Sequence, residues 1–141
     1  MIDDLIKKGN LVKTTPDLQK AQKSLLLAQD KIEKAKQELD AEIFDSSLIS
    51  SYTAMFHTAR AFLFKDGYKE RNHYSVYEYL REIYSGKIEQ KYINELNILR
   101  TIRHKVIYGD ENVEIREIQC EEAQMAIKMA EGFLKEAKKL V

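Results

Sequence analysis

The chain has 141 residues, 44% hydrophobic and 33% charged, with 23 basic side chains balanced by 23 acidic ones. That length can bury a real core, and the composition excludes a disordered chain and a membrane protein. Zero net charge argues against a broad nucleic-acid-binding surface, whose affinity comes from many phosphate contacts, but leaves room for a local one.

Five Gly and one Pro are few. They are read as sitting where helices would stop, in an all-α chain rich in Ala, Leu, Lys, Glu and Gln. Residues 2–9 read as one or two helical turns, stopped near Gly9-Asn10. Thr15-Pro16 reads as a helix start, a hydroxyl at the N-cap with Pro at the first helical position. Leu18, Ala21, Leu25, Ala28, Ile32, Ala35 and Leu39 then follow at alternating spacings of three and four. This is a long amphipathic helix with a narrow Leu/Ala seam, read as core or partner-helix surface. A coiled coil fits that seam, but so does a hairpin within one bundle, since a matching long helix closes the chain.

Asp45-Ser46-Ser47 opens a second long helix to about Lys65, with apolar Leu48, Ile49, Tyr52, Met55, Phe56, Ala59, Phe62 and Leu63. Its broad apolar face marks it as the central helix, and Gly67 ends it by a left-handed cap. Asn72 caps a short helix from His73 to Tyr84, ended by Gly86. A fifth helix runs from about Ile88 to Tyr108, with Gly109 past its end. The last runs from about Glu114, with Glu early and Lys late, as the macrodipole favours. No repeat, low-complexity segment or linker divides the chain, so residues 1–141 read as one domain.

The single cysteine, Cys120, has no internal partner, which fits a reducing cytoplasm. Met1-Ile2-Asp3-Asp4 has neither a basic region nor a long apolar run, so a cytoplasmic protein without signal peptide or membrane span is expected.

The densest chemistry lies in Leu99-Arg100-Thr101-Ile102-Arg103-His104-Lys105-Val106-Ile107-Tyr108-Gly109. Such a cluster suits a phosphate, a carboxylate or a partner chain. On a wheel at about 100° per residue, Ile98, Leu99, Ile102 and Val106 share one side, read as the core face. Ile93, Leu96 and Ile107 lie on the other, interleaved with Arg100, Arg103 and His104. A helix apolar on both sides is usually covered on both, so a twofold homodimer is expected near this helix. It would bring two arginine clusters together around an anion. The alternative is a surface helix with stray apolar residues.

Elsewhere, His57 reads as a structural histidine on an apolar helix, and Arg60 either joins a polar site or is ion-paired at the surface. His73 reads as a helix-start residue. Tyr74, Tyr77, Tyr79, Tyr84 and Tyr92 read as packing side chains, since their spacing makes no flat platform for bases. His57, His73, His104 and Cys120 lack metal-ligand spacing. There is no Gly-rich phosphate loop and no Ser-His-Asp ordering.

Tyr52-x-Ala54-Met55-Phe56-His57-x-Ala59-Arg60-Ala61-x-Leu63 resembles the central-helix signature of the HEPN domain, above all of its small stand-alone branch. Gly67, His73 and Arg103-His104-x-x-x-Tyr108-Gly109 agree in order and spacing. The likeness covers roughly residues 15–140. It implies an up-and-down bundle of four to five helices, here with a short N-terminal helix before it, and usually a dimer. It also implies a metal-independent ribonuclease, or a non-catalytic interaction domain, in a toxin–antitoxin-like module with a minimal nucleotidyltransferase partner, without cofactor or metal.

The family motif is Arg, a polar residue, three more residues, then His. Arg103 and His104 match its first two positions, and Tyr108 stands where the final His would be. A Tyr two positions further, modified in some toxin pairs, is Asp110 here. Metal-free cleavage of RNA needs a base for the 2′-hydroxyl and a cation for the phosphorane oxygens. Arg103 can supply the cation. A tyrosine, with an ordinary pKa of about 10, is a poor base near neutral pH. Histidine suits that role, and His104 lies one turn from both Arg100 and Tyr108. The expected catalytic residues are therefore Arg103, His104 and Tyr108. Arg100, Arg103 and Arg60 are the expected anion contacts, for RNA or a nucleotide phosphate at a dimer cleft, with His57 and His73 in support.

Overall fold

The computed structural model describes residues 2–141. In chain order these form α1 (Ile2–Lys7), β1 (Leu11–Lys13), α2 (Leu18–Asp40), α3 (Phe44–Asp66), β2 (Tyr68–Glu70), α4 (His73–Ile83), α5 (Gln90–Tyr108) and α6 (Cys120–Leu140). The fold is an all-α bundle with a short N-terminal helix and one small sheet. No helix of the described residues is long and apolar enough to cross a membrane.

The Leu/Ala periodicity of α2 does what its spacing dictates. Ala21, Leu25, Ala28, Ile32 and Ala35 are buried against α3, while Leu18 at the start stays exposed. A connection of residues 41–43 turns the chain back, so α2 and α3 form the antiparallel hairpin. Small residues let the two backbones approach, and hydroxyls complete the seam. Ser24 Oγ donates to the His57 carbonyl at 2.7 Å and Ser47 Oγ to the Ala35 carbonyl at 2.8 Å. Helix α3 packs on α2, α4, α5 and α6 and is the central helix. Its core side chains include Leu48, Tyr52, Met55, Phe62 and Leu63.

Two helix starts differ from the sequence reading. Helix α2 starts after Asp17, whose carboxylate accepts from the Lys20 backbone N–H at 2.9 Å, not at Thr15-Pro16. Pro16 instead abuts Gly67, where an added Cβ would come within 2.9 Å of its Cδ. Gly67, at φ 88°, ends α3 in the left-handed conformation expected. Strands β1 and β2 pair antiparallel, Val12 opposite Lys69, and tie the N-terminus to the end of α3. Three-residue strands carry too little alternation to be read from sequence.

Helix α6 begins at Cys120 rather than Glu114. Gln119 and Glu122 form a reciprocal capping box, and the Arg116 guanidinium grips Glu122 at 2.6 Å. Residues 110–119 are instead a loop folded around Asp110, whose Oδ1 accepts from the Asn112 and Glu114 N–H groups. Gly132 lies inside α6, contrary to the expectation that glycines mark helix ends; a Cβ there would meet the Tyr92 hydroxyl at 2.1 Å.

The wheel assignment of α5 holds for Leu99, Ile102 and Val106, which meet the core, and fails for Ile98, Ile93 and Leu96. Tyr92, Ile93, Leu96 and Leu99 are the buried residues, Ile102 and Val106 are partly buried, and Ile98 is 51% exposed. Ile93 and Leu96 therefore face their own core. Beyond Leu99 the core contact thins to the partly buried Ile102 and Val106, and Arg100 and Arg103 are half-buried beside them.

Candidate functional site

Three helices meet where α5 leaves the core. Helix α3 presents Tyr52, Phe56 and Arg60 on one edge, one turn apart. Helix α4 starts there because Asn72 caps it, its side chain accepting from the Ser75 N–H at 2.9 Å and from the Ser75 hydroxyl at 2.8 Å. That cap fixes His73 as the first helical residue. Its ring stacks on Phe56, centroids 4.2 Å apart, and its Nδ1 lies 2.8 Å from the Tyr52 hydroxyl. Helix α5 lays the Arg103 guanidinium over the Tyr52 ring at 5.8 Å and that of Arg100 over Tyr74 at 5.0 Å. Arg100 Nε and Nη2 both donate to Asn97 Oδ1, at 3.1 and 3.0 Å, which holds the side chain in place.

Charge is uncompensated here. Among the described residues, no carboxylate pairs with Arg100 or Arg103. Arg60 differs: it is ion-paired with Glu70 and lies over the Phe56 and Phe64 rings. Burial, then Arg103, Arg100 and Arg60, push His73 below the usual histidine range. Burial pushes the Tyr52 phenol up, outweighing the pull of Arg103 and Arg100. Both groups are therefore neutral at pH 7. A neutral ring protonated on Nε2 accepts the Tyr52 hydroxyl at Nδ1 and keeps an N–H to donate. The edge thus offers two cationic forks and one neutral donor, a set suited to an oxyanion.

The residues singled out from sequence fall into three places. Arg100, Arg103 and His73 come together on this edge. Arg60 and His57 flank it on α3; burial, Arg60, Lys31 and His73 push the His57 ring down to about 4, and its buried Nδ1 has no hydrogen-bond partner among the described residues. That ring is packed as a structural histidine should be, but it is not hydrogen-bonded. His104 and Tyr108 are exposed and pack on each other, ring centroids 4.8 Å apart, on a different side of α5 from Arg103. Among the described residues, no three or more His, Cys, Asp or Glu side chains are arranged to hold a metal ion.

The sequence reading passed over Tyr52, Phe56, Tyr74 and Asn97 as site residues. Asn97 could have been found, since an amide three residues before an arginine on a helix can hold it. Of the five tyrosines weighed as packing residues, Tyr79, Tyr84 and Tyr92 are buried and Tyr77 partly so, whereas Tyr74 is 47% exposed beside Arg100.

No curated protein matches the chain. The HEPN domain profile matches residues 21–140, which takes in the central helix, the His73 cap and both arginines. Domains of this kind are known for RNA binding, ribonuclease activity and protein interaction, and they often dimerise. The chain belongs to the HEPN domain family.

Proposed function

We propose that this chain binds an RNA phosphodiester on the edge formed by α3, α4 and α5, with Arg100 and Arg103 as its anion contacts. The observation that carries the reading is the pair of guanidinium groups without a carboxylate, beside the neutral Tyr52–His73 pair. Two like charges held on one edge repel, and a bound anion relieves that repulsion. Planar forks match phosphate oxygens, and the exposed Tyr74 ring offers a base a surface to stack on.

On each copy of the chain Arg100 lies over Tyr74 and Arg103 over Tyr52, which orients both guanidiniums on this edge. The wider reading is a homodimer in a two-component, toxin–antitoxin-like module with a nucleotidyltransferase-like partner; its support is the family resemblance. Metal-independent cleavage is the sharper form, with Arg103 toward the phosphorane oxygens and His104 as base beside Tyr108. The outward placement of the His104–Tyr108 pair favours a second reading, in which that face binds the partner protein and no cleavage occurs.

Incubation of purified protein with single-stranded RNA in EDTA tests both forms. Binding lost in Arg103→Ala supports the anion site, and cleavage lost in the same variant supports the nuclease. Absence of RNA binding by the unmodified protein would defeat the proposal.

A further inference from the structure

Helix α3 packs on four other helices, yet one stripe of it stays half-open: Ile49, Thr53, Phe56, His57 and Arg60. At about 100° per residue these five fall within an arc of about 100°. Helix α6 covers the opposite side of α3, where Phe62 stacks with Phe133. Helix α2 borders one margin of the stripe, where Ser24 bonds the His57 carbonyl. The other margin is the arginine edge, reached through Tyr52 and Phe56.

Cations accompany the stripe along its length. Tyr52, Phe56, Arg60 and Phe64 follow at steps of four, each about 6 Å of rise, so the line is about 18 Å long. Arg103 lies over Tyr52, Arg60 over both Phe56 and Phe64, and the Lys20 ammonium of α2 over Phe64 at 4.7 Å. Lys31 of α2 is half-buried, and its charge reaches His57, adding to burial and Arg60 in pushing that ring down. Eleven residues apart, Lys20 and Lys31 point within about 20° of each other on α2, about 16 Å apart along its axis. Among the described residues, no carboxylate pairs with either lysine. Glu70 answers Arg60, and the Asp17 carboxylate is engaged by the Lys20 backbone N–H as the α2 cap. One lysine lying on a ring is ordinary snorkelling. Two on the same margin, continuing a series of rings and cations that begins at Arg103, make a track of one sign.

We propose that this stripe carries the RNA onward from the arginine edge. A single strand anchored at Arg100 and Arg103 runs along α3 toward Phe64, with Lys31 and Lys20 as further phosphate contacts. The inference rests on the anion site proposed above and adds the path of the strand. A positive track beside half-open aromatic side chains is the arrangement that follows a single-stranded backbone without reading its sequence. The stripe is one helix wide between flanking helices, which suits a single strand rather than a duplex.

Fluorescence anisotropy of the full chain in EDTA tests it, with labelled uridylates of three and twelve nucleotides. The variants are Lys20→Ala/Lys31→Ala, Arg103→Ala, and Lys128→Ala/Lys138→Ala, which removes the same charge from α6. All four lysines are surface or half-buried side chains, and circular dichroism checks that each variant folds. Losing Lys20 and Lys31 is expected to weaken the long probe at least about tenfold and to lower its log–log salt slope by about 1.4, two contacts at about 0.7 each. The short probe, which does not span the stripe, should change less than about twofold, whereas Arg103→Ala should weaken both probes. The α6 control should leave both within about twofold. A long probe indifferent to Lys20 and Lys31, an equal loss for both probes, or an equal loss in the α6 control would overturn the path. Poly-glutamate displacing the long probe as well as unlabelled RNA does would also overturn it, in favour of an acidic protein ligand. The claims separate: loss in Arg103→Ala without loss in the lysine variant keeps the anion site and defeats the path, and the reverse defeats the anion site.

Discussion

Replacing Arg103 by Ala removes one cationic fork and nothing that the fold depends on. The guanidinium lies 5.8 Å from the centre of the Tyr52 ring, and no carboxylate among the described residues pairs with it. A cation–π contact near the surface contributes about 0.5–1 kcal/mol. Relief of repulsion with Arg100 offsets part of that, so stability should change by less than about 1 kcal/mol. A charge-assisted hydrogen bond to phosphate is worth about 1.5–3 kcal/mol, which corresponds to an affinity loss of roughly 10- to 150-fold. Losing one phosphate contact should also reduce the salt dependence of single-strand binding by about 0.7 in log–log slope. Arg103→Lys keeps the charge without the fork and should fall between wild type and Arg103→Ala. Fluorescence anisotropy with a labelled single-stranded oligoribonucleotide, at several salt concentrations, reads affinity and slope together. An affinity within twofold of wild type at every salt concentration, in a protein that melts normally, would refute the assignment of Arg103.

Three further outcomes follow from the same geometry. Tyr52→Phe keeps a buried ring but removes the hydroxyl 2.8 Å from His73, so it should cost about 1 kcal/mol in urea unfolding and mix the His73 tautomers in ring ¹⁵N spectra. An unmoved His73 signal would show that the hydrogen bond is absent in solution. The His57 ring, at about 4 in the folded chain against about 6.5 when unfolded, takes up its proton more readily unfolded. Its contribution to stability is therefore present above pH 6.5 and lost as pH falls from about 6.5 toward about 4. Urea midpoints across that range should fall less steeply in His57→Gln than in wild type, and parallel curves would count against it. Gly132→Ala, which ordinarily favours a helix by about 1 kcal/mol, should instead lower the melting temperature, because the new Cβ meets the buried Tyr92 side chain. A rise in melting temperature would mean that Tyr92 yields freely.

The sequence was legible where one signal dominated. Gly67, Asn72 and the apolar face of α3 each had one physical meaning, and each stands in its expected place. Helix α5 had two meanings. Apolar residues occur all round it, so the wheel could not show which stripe met the core, and Ile98 was taken for Ile93. Beyond Leu99 the core contact thins to Ile102 and Val106, and Arg100 and Arg103 lie half-buried toward α3 and α4. Only the position of α3 and α4 reveals that. The α6 boundary failed for another reason: the acidic run from Glu114 resembles a helix start electrostatically, but the Gln119–Glu122 capping box outcompetes it. Arg100, Arg103 and His73 were each visible as residues. Their convergence depends on the packing of α3, α4 and α5, of which the Tyr52–His73 hydrogen bond across 21 positions of chain is one part, and no local pattern encodes such contacts.

Side-chain NMR of the arginines, during titration with a short single-stranded oligoribonucleotide, tests the anion site most directly. The account predicts saturable shifts in the Nε–Hε signals of Arg100 and Arg103 and in the His73 ring, with the Glu70-paired Arg60 moving less. Shifts confined to other parts of the surface, or none at all as the RNA is added, would contradict it.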